Sequence, residues 1–442
     1  MKPLHFLLLF LIASCSTKQT INPKTTDKTK ISFSENIKIY EQSSFSYGPC
    51  EPSIYINPKN TNNIVAGSIM DNVHYSFDAG RTWESKRLKS KLGVYGDPCI
   101  TADYKGNFYY FHLSNPDGGA GWGTKRFLDR MVVQKSSDGG ISWTDGVGIG
   151  KHEQPKQQDK EWAIVNPFNN DIYLTWTEFD KYGSKDTNHK SRILFSKSSD
   201  QGKTWSNTTT LSEIEGNAID NSKTVEGAVP AVGINGEIYV AWSLNEQIYF
   251  DKSSDQGKTW LTKDIVASNQ PKGWDFNVPG FSRVNGMPVT AVDLSKNQHK
   301  GTIYINFSDQ RNGTDDTDIF IVKSTDNGNT WSQPLRVNKD KTKTHQFFTW
   351  MSVDAKTGYV YIVYYDRSKY KDTQTDVVLA VSKDGGSIFT NTTISEKPFT
   401  PNPGVFFGDY NNISAYNGVI RPIWTAYYNN KLSVWTSLIE DK

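Results

Sequence analysis

The stretch KSSDQGKTW stands twice in this chain without a change of letter, at residues 197–205 and 252–260. Looser copies lie at 76–83 (SFDAGRTW), 136–143 (SSDGGISW), 324–331 (STDNGNTW) and 382–389 (SKDGGSIF). The central aspartates, Asp78, Asp138, Asp200, Asp255, Asp326 and Asp384, are separated by 55 to 71 residues. A period of that size means one supersecondary unit repeated along the chain. The letters have a structural purpose. An Asp carboxylate accepts from backbone N–H groups a few residues on and closes a tight turn. The following Gly meets a positive φ at little cost. The Trp, or Phe389 in the last copy, starts the next strand with a large apolar anchor.

Outward from each turn, the repeat reads as four short strands rich in β-branched and aromatic residues. The second strand recurs at 62–70, 106–114, 170–178, 236–244, 301–309, 358–366 and 418–426. That makes seven units against six Asp turns. The seventh has a first strand near 408–416 and a third at 431–439, and then the chain stops without a fourth. Residues 34–42 (SENIKIYEQ) alternate as a strand and have no unit of their own. They are expected to supply the outer strand of the last unit and close a seven-bladed, all-β propeller, which removes an exposed sheet edge. A six-bladed ring with an extra C-terminal hairpin is the alternative.

Upstream, an apolar run at 6–13 follows Lys2 and His5 and is too short to span a bilayer, as in a signal peptide. Ile12-Ala13-Ser14-Cys15 resembles the lipobox of bacterial lipoproteins. That resemblance implies cleavage after residue 14, a lipid on Cys15, and attachment to the bacterial cell envelope. The polar residues 15–33 read as a tether, and 34–442 as a single domain. Net charge is +2 over 442 residues, which gives no general attraction to nucleic acid. The chain is expected to act as a monomer, meeting the membrane only through its anchor. Cys50 and Cys99 fall at the first strands of adjacent units in an exported protein, where a disulfide is expected; two buried free thiols are the alternative.

Ser-x-Asp-x-Gly-x-x-Trp resembles the Asp-box, or BNR, repeat of the sialidase-like β-propellers, and the likeness covers roughly residues 35–439. It implies the fold, and it places the Asp box away from the active site. Strand order gives the same orientation. Hairpins joining strands one to two and three to four share one face with the Asp boxes. Starts of first strands and ends of second strands ring the opposite mouth.

At that mouth the sequence places Asp97, His112, Trp162, Glu178, Glu226, Asp309, Arg311, Asp366, Arg367, Asp409 and Tyr410. Aromatic rings among carboxylates and arginines suit sugars, and paired carboxylates can run glycoside chemistry. Sialidases use three arginines, a Tyr nucleophile helped by a Glu, and an Asp acid/base. Resemblance to that set implies Asp97, Glu226 and Tyr410 as catalytic residues. The other eight would bind a glycan substrate.

Two departures stand against a sialidase. The region GPCEPSIYINP (48–58) carries no Arg where the family has one, and seven units replace six blades. Polysaccharide lyases acting on ulvan share the seven-bladed plan and would need a base such as His112 or Tyr410 with Arg311 facing a uronate. A non-catalytic glycan- or protein-binding propeller is the third reading. No cofactor is called for. Asp315, Asp316 and Asp318 loosely resemble a calcium loop, but a solvated acidic turn is the plainer reading.

Overall fold

A computed structural model of the protein describes Met1 and residues 31–41, 48–118 and 125–441. The stretch expected to be a signal peptide, Cys15 with its expected lipid, and most of the expected tether lie outside the described residues. The described chain is built from β-strands, arranged as seven antiparallel blades around one axis, each of four strands except blade 3, where the short Gly216–Asn217 adds a fifth, with a separate two-stranded hairpin. Blades 1 to 7 begin with the innermost strands Ser53–Ile56, Cys99–Ala102, Gln157–Val165, Glu226–Val232, Val289–Val292, Gln346–Val353 and Asn412–Tyr416.

The ring closes as the spare strand requires. Ser32–Glu41 pairs antiparallel with Lys431–Glu440 as the outer strand of blade 7, with Ile37 opposite Thr436 and Lys38 opposite Trp435. Ile39 is buried in a core shared with Ile54 and Ile64 of blade 1 and Val434 of blade 7. Strands from the two ends of the chain therefore share one blade and one core.

Each Asp turn has the same bonding. The Ser hydroxyl donates to the Asp at 2.7–2.8 Å in all six copies and accepts from the Gly N–H in each. In the turn around Asp255, the carboxylate also accepts from the N–H groups of Lys258 and Thr259 and from the Thr259 hydroxyl at 2.7 Å. Positive φ falls on two consecutive residues, not on the Gly alone: Gln201 and Gln256 take φ 64° immediately before Gly202 and Gly257. The carboxylate thus holds an ordinary residue in a conformation it adopts at a cost.

The turns also link neighbouring blades. Lys252 donates to the Asn327 carbonyl (2.8 Å), Lys323 to Gly385 (2.8 Å) and fully buried Arg421 to Ala79 (2.8 Å). A cation of one blade thereby grips the Asp turn of the next, across the ring closure as well.

The expected disulfide is absent: Cys50 and Cys99 are free, buried thiols. Cys50 Sγ donates toward the Phe406 carbonyl before blade 7 (3.5 Å), whereas Cys99 Sγ accepts from Ala163 N in blade 3 (3.3 Å). Each thiol faces the neighbour on its far side, so adjacent strands do not bring the sulfurs together.

Asp255→Ala should lower the melting temperature of the domain while leaving any chemistry at the opposite face at the wild-type rate. A scanning-calorimetry and turnover comparison checks this; loss of turnover at unchanged melting temperature would contradict it.

Candidate functional site

The mouth is shaped by a repeated backbone irregularity. Glu51, Asp97, Lys160, Gly227 and Phe348, each just before or within the start of a first strand, have φ between 48° and 81°. In blades 3, 4 and 6 this coincides with a register shift against the second strand. Bulges of this kind re-aim side chains. Here they bring Glu51, Asp97 and Lys160 toward one centre.

Lys160, nearly fully buried, lies 3.2 Å from Asp97 and 2.5 Å from Asp409. Asp409 is also gripped at both oxygens by Arg283, while its N–H donates to Glu51 at 3.1 Å. Arg283 reaches on to Asp220 (3.2 Å), which accepts from the Tyr182 hydroxyl (2.5 Å). Two cations thus tie together residues from blades 1, 2, 3 and 7 and from two connecting segments.

Beneath them Trp162, Trp350 and Tyr410 fill the axis, with ring centroids 4.3, 4.8 and 6.0 Å apart. A channel of about 190 Å³, lined by the first strands of all seven blades, continues from this aromatic floor toward the Asp-box face. A ligand entering from the mouth would therefore be confined to the shallow layer above the floor.

Electrostatics sorts the acids. Burial raises Asp159 to about 7, with Lys160 opposing and Asp97 and Asp220 adding to the rise. Burial likewise pushes Glu51, Glu161 and Glu226 well above the usual carboxylate range. Asp409 goes the other way, because Arg283 and Lys160 together outweigh its desolvation. On the open side, Asp220 and Arg283 keep 17% and 37% of their side chains exposed.

Of the residues expected from sequence, Asp97, Trp162, Asp409 and Tyr410 converge here. Tyr410 is buried, and its hydroxyl donates to the Pro98 carbonyl (3.4 Å), so it serves as floor. Glu226 lies nearby, yet it is fully buried and neither carboxylate oxygen has a partner among the described residues.

The others are held within their own blades or by neighbouring loops. His112 bonds the Leu113 carbonyl and Gln134 inside blade 2, and burial lowers it to about 4. Glu178 takes Lys156, Arg192 and Gln158. Arg311 is locked on Asp309 and lies 4.1 Å over the Phe320 ring. Asp366 takes Ser368 and Gln346. Arg367 donates to the Pro279 carbonyl (2.7 Å) and covers Phe281, so it fastens the segment that carries Arg283. Asp318 pairs with Arg336 (2.6 Å).

Sequence reasoning missed Arg283, Asp220 and Asp159. Arg283 sits in an insertion between blades 4 and 5, whose small hairpin Asp275–Phe276 and Val284–Asn285 lies across the mouth. The available signal was the 71-residue gap between Asp255 and Asp326, the longest in the series.

With this geometry in view, comparison with solved structures is informative about architecture. No protein-family model matches the chain. An ulvan lyase of polysaccharide lyase family PL25 superposes with TM-score 0.56 at 13% identity, covering 92% of this chain and 96% of that one. A second structure of that lyase holds -[GlcA(1-4)Rha3S]-. The NanB sialidase of Streptococcus pneumoniae gives TM-score 0.51 at 10% identity, over 85% and 83% of the two chains. A protein of unknown function from Dyadobacter fermentans DSM 18053 gives 0.50 at 12% identity, over 93% and 99%. The fold is that of a sialidase-like β-propeller. At these identities the likeness extends to the fold alone.

Asp409→Asn should cost about 3 kcal/mol of unfolding free energy, because it leaves Lys160 and Arg283 facing each other without their shared counter-charge. Chemical denaturation checks this; an unchanged midpoint would contradict the placement of Asp409 at the centre of the mouth.

Proposed function

We propose that this chain is an exported carbohydrate-active protein anchored in a bacterial cell envelope, and that it is a glycoside hydrolase working at the propeller mouth. The observation that carries the reading is the pair Asp159 and Asp220. Both are carboxylates with partial exposure beside the buried cation centre. Asp159 holds its proton to about pH 7 and suits a general acid, whereas Asp220 is oriented by Tyr182 and Arg283 and suits a base or nucleophile. A protonated acid beside a second carboxylate is what glycoside cleavage needs.

The arginines bear on the substrate. Exo-sialidase chemistry needs guanidinium groups free to clamp a carboxylate. Arg311 and Arg367 are committed to Asp309, Thr375 and Pro279, and Arg283 to Asp409 and Asp220. That supports a glycan recognised through its hydroxyls and ring faces. Similarity to the ulvan lyase and the NanB sialidase supports a glycan ligand at the level of fold.

The test is a screen of aryl glycosides and polysaccharides on the domain from residue 31. A saturated reducing sugar should appear, and Asp159→Asn and Asp220→Asn should each lower kcat by about 10²-fold or more. A general acid must be protonated, so activity should fall as pH rises through about 7, and that limb should vanish in Asp159→Asn assayed on a substrate with a good leaving group. An ultraviolet-absorbing unsaturated product would assign a lyase instead. Glycan retention without turnover would assign a binding module.

A further inference from the structure

The Asp-box face carries a feature that mouth chemistry does not use. Five of the large apolar side chains exposed among the described residues, Phe33 (43%), Phe77 (51%), Ile141 (42%), Phe168 (59%) and Ile388 (67%), belong to this face, while Ile214, Ile219 and Val266 stand outside it. Phe77, Ile141 and Ile388 stand in the Asp turns of blades 1, 2 and 6. Phe168 lies in the first hairpin of blade 3, and Phe33 at the start of the closing strand in blade 7. They form an arc over the adjacent blades 6, 7, 1, 2 and 3.

Both signs of charge stand on this arc: Glu35 and Glu440 lie beside Phe33 and Arg81, with Glu440 paired to Arg421, and Lys383 pairs with Asp441 next to the turn of Ile388. The Asp78 and Asp138 carboxylates are enclosed by their own turns. Three further cations hold no carboxylate among the described residues: Lys59 donates to the Lys105 carbonyl, Arg81 to the Asp78 carbonyl, and Lys356 lies over the Tyr416 ring.

Strand polarity supplies the second observation. Ser32 pairs with Glu440, at the Asp-box end of blade 7, and Glu41 pairs with Ser433, at the mouth end. The chain therefore joins the fold on the Asp-box face, in the middle of the apolar arc. We infer that this arc is a membrane-docking surface that seats on an anionic lipid bilayer and holds the mouth away from it. Aromatic and aliphatic side chains among cations match the interface of such a bilayer. The inference rests on the anchored reading of the N-terminus and is independent of the reaction proposed for the mouth. Tether length alone does not dictate this orientation. The 16 residues 16–31 can span at most about 55 Å when extended, enough to let either face approach the lipid.

The test uses the chain from Ser16, tethered through an N-terminal hexahistidine to nickel-chelating lipid in phosphatidylglycerol-containing vesicles. A polarity-sensitive dye is placed at Ile388→Cys on the arc or at Lys181→Cys, an exposed site beside the mouth. The expected result is a blue shift and several-fold quenching by a lipid-borne quencher at position 388 and neither at 181. Adding Phe77→Ser with Ile141→Ser should abolish the quenching while leaving the melting temperature within a few degrees. Equal quenching at both positions, no quenching at either, or a blue shift that appears without vesicles as protein concentration rises would overturn the proposal. The last outcome would mean that the arc covers a second copy of the chain.

Discussion

The pairing of Ser32–Glu41 with Lys431–Glu440 is the constraint on which the rest depends. It joins the two ends of the chain in one sheet, so blade 7 packs on blade 1 as each earlier blade packs on the next. Without it the array has an open edge and no fixed axis. With it, first strands far apart in sequence start around one point. That is how Lys160 of blade 3 comes to lie between Asp97 of blade 2 and Asp409 beside blade 7.

The two faces of the ring then divide the work. On one, four of the six Asp turns hold an ordinary residue, Ala79, Gln201, Gln256 or Asn327, at positive φ, and those of blades 1, 5 and 6 receive a hydrogen bond from a cation of the preceding blade. On the other, the equivalent strand ends carry left-handed kinks that direct charged side chains toward the axis. Placing several acids there is costly unless they are paired or protonated. Asp409 is paired with Lys160 and Arg283, while the carboxylates of Glu161 and Glu226 are buried without a hydrogen-bond partner among the described residues and carry raised proton affinity. Asp159 stands between these extremes, which makes it the acid able to exchange a proton near neutral pH.

Much of the fold was legible because its signals are local. An Asp turn is nine residues of hydrogen-bond chemistry, and a second strand announces itself by β-branched and aromatic residues. The unpartnered strand near residue 37 and the missing seventh Asp turn together favoured closure by the N-terminus over a six-bladed ring. The mouth was legible only as a location. Asp97, Trp162, Asp409 and Tyr410 were found because strand ends must lie there, whereas Arg311, Asp366, Arg367 and Glu178 obey the same rule and yet find partners at once in their own blades or neighbouring loops. Arg283 and Asp220 arrive on irregular segments with no period to read. The cysteines failed for a related reason. Adjacent strands were the right neighbourhood, but the sulfurs emerge on opposite sides of a blade pair, a matter of register that spacing does not report.

The most direct measurement compares the chain from residue 31 with one beginning at Gly48, which lacks the closing strand, by hydrogen exchange and thermal unfolding. Closure as the organising constraint predicts that the shorter chain loses its single cooperative transition and its amide protection at the first strands of blades 1, 2, 3 and 7, around Lys160 and Asp409. An unchanged transition with full protection at those strands would contradict it.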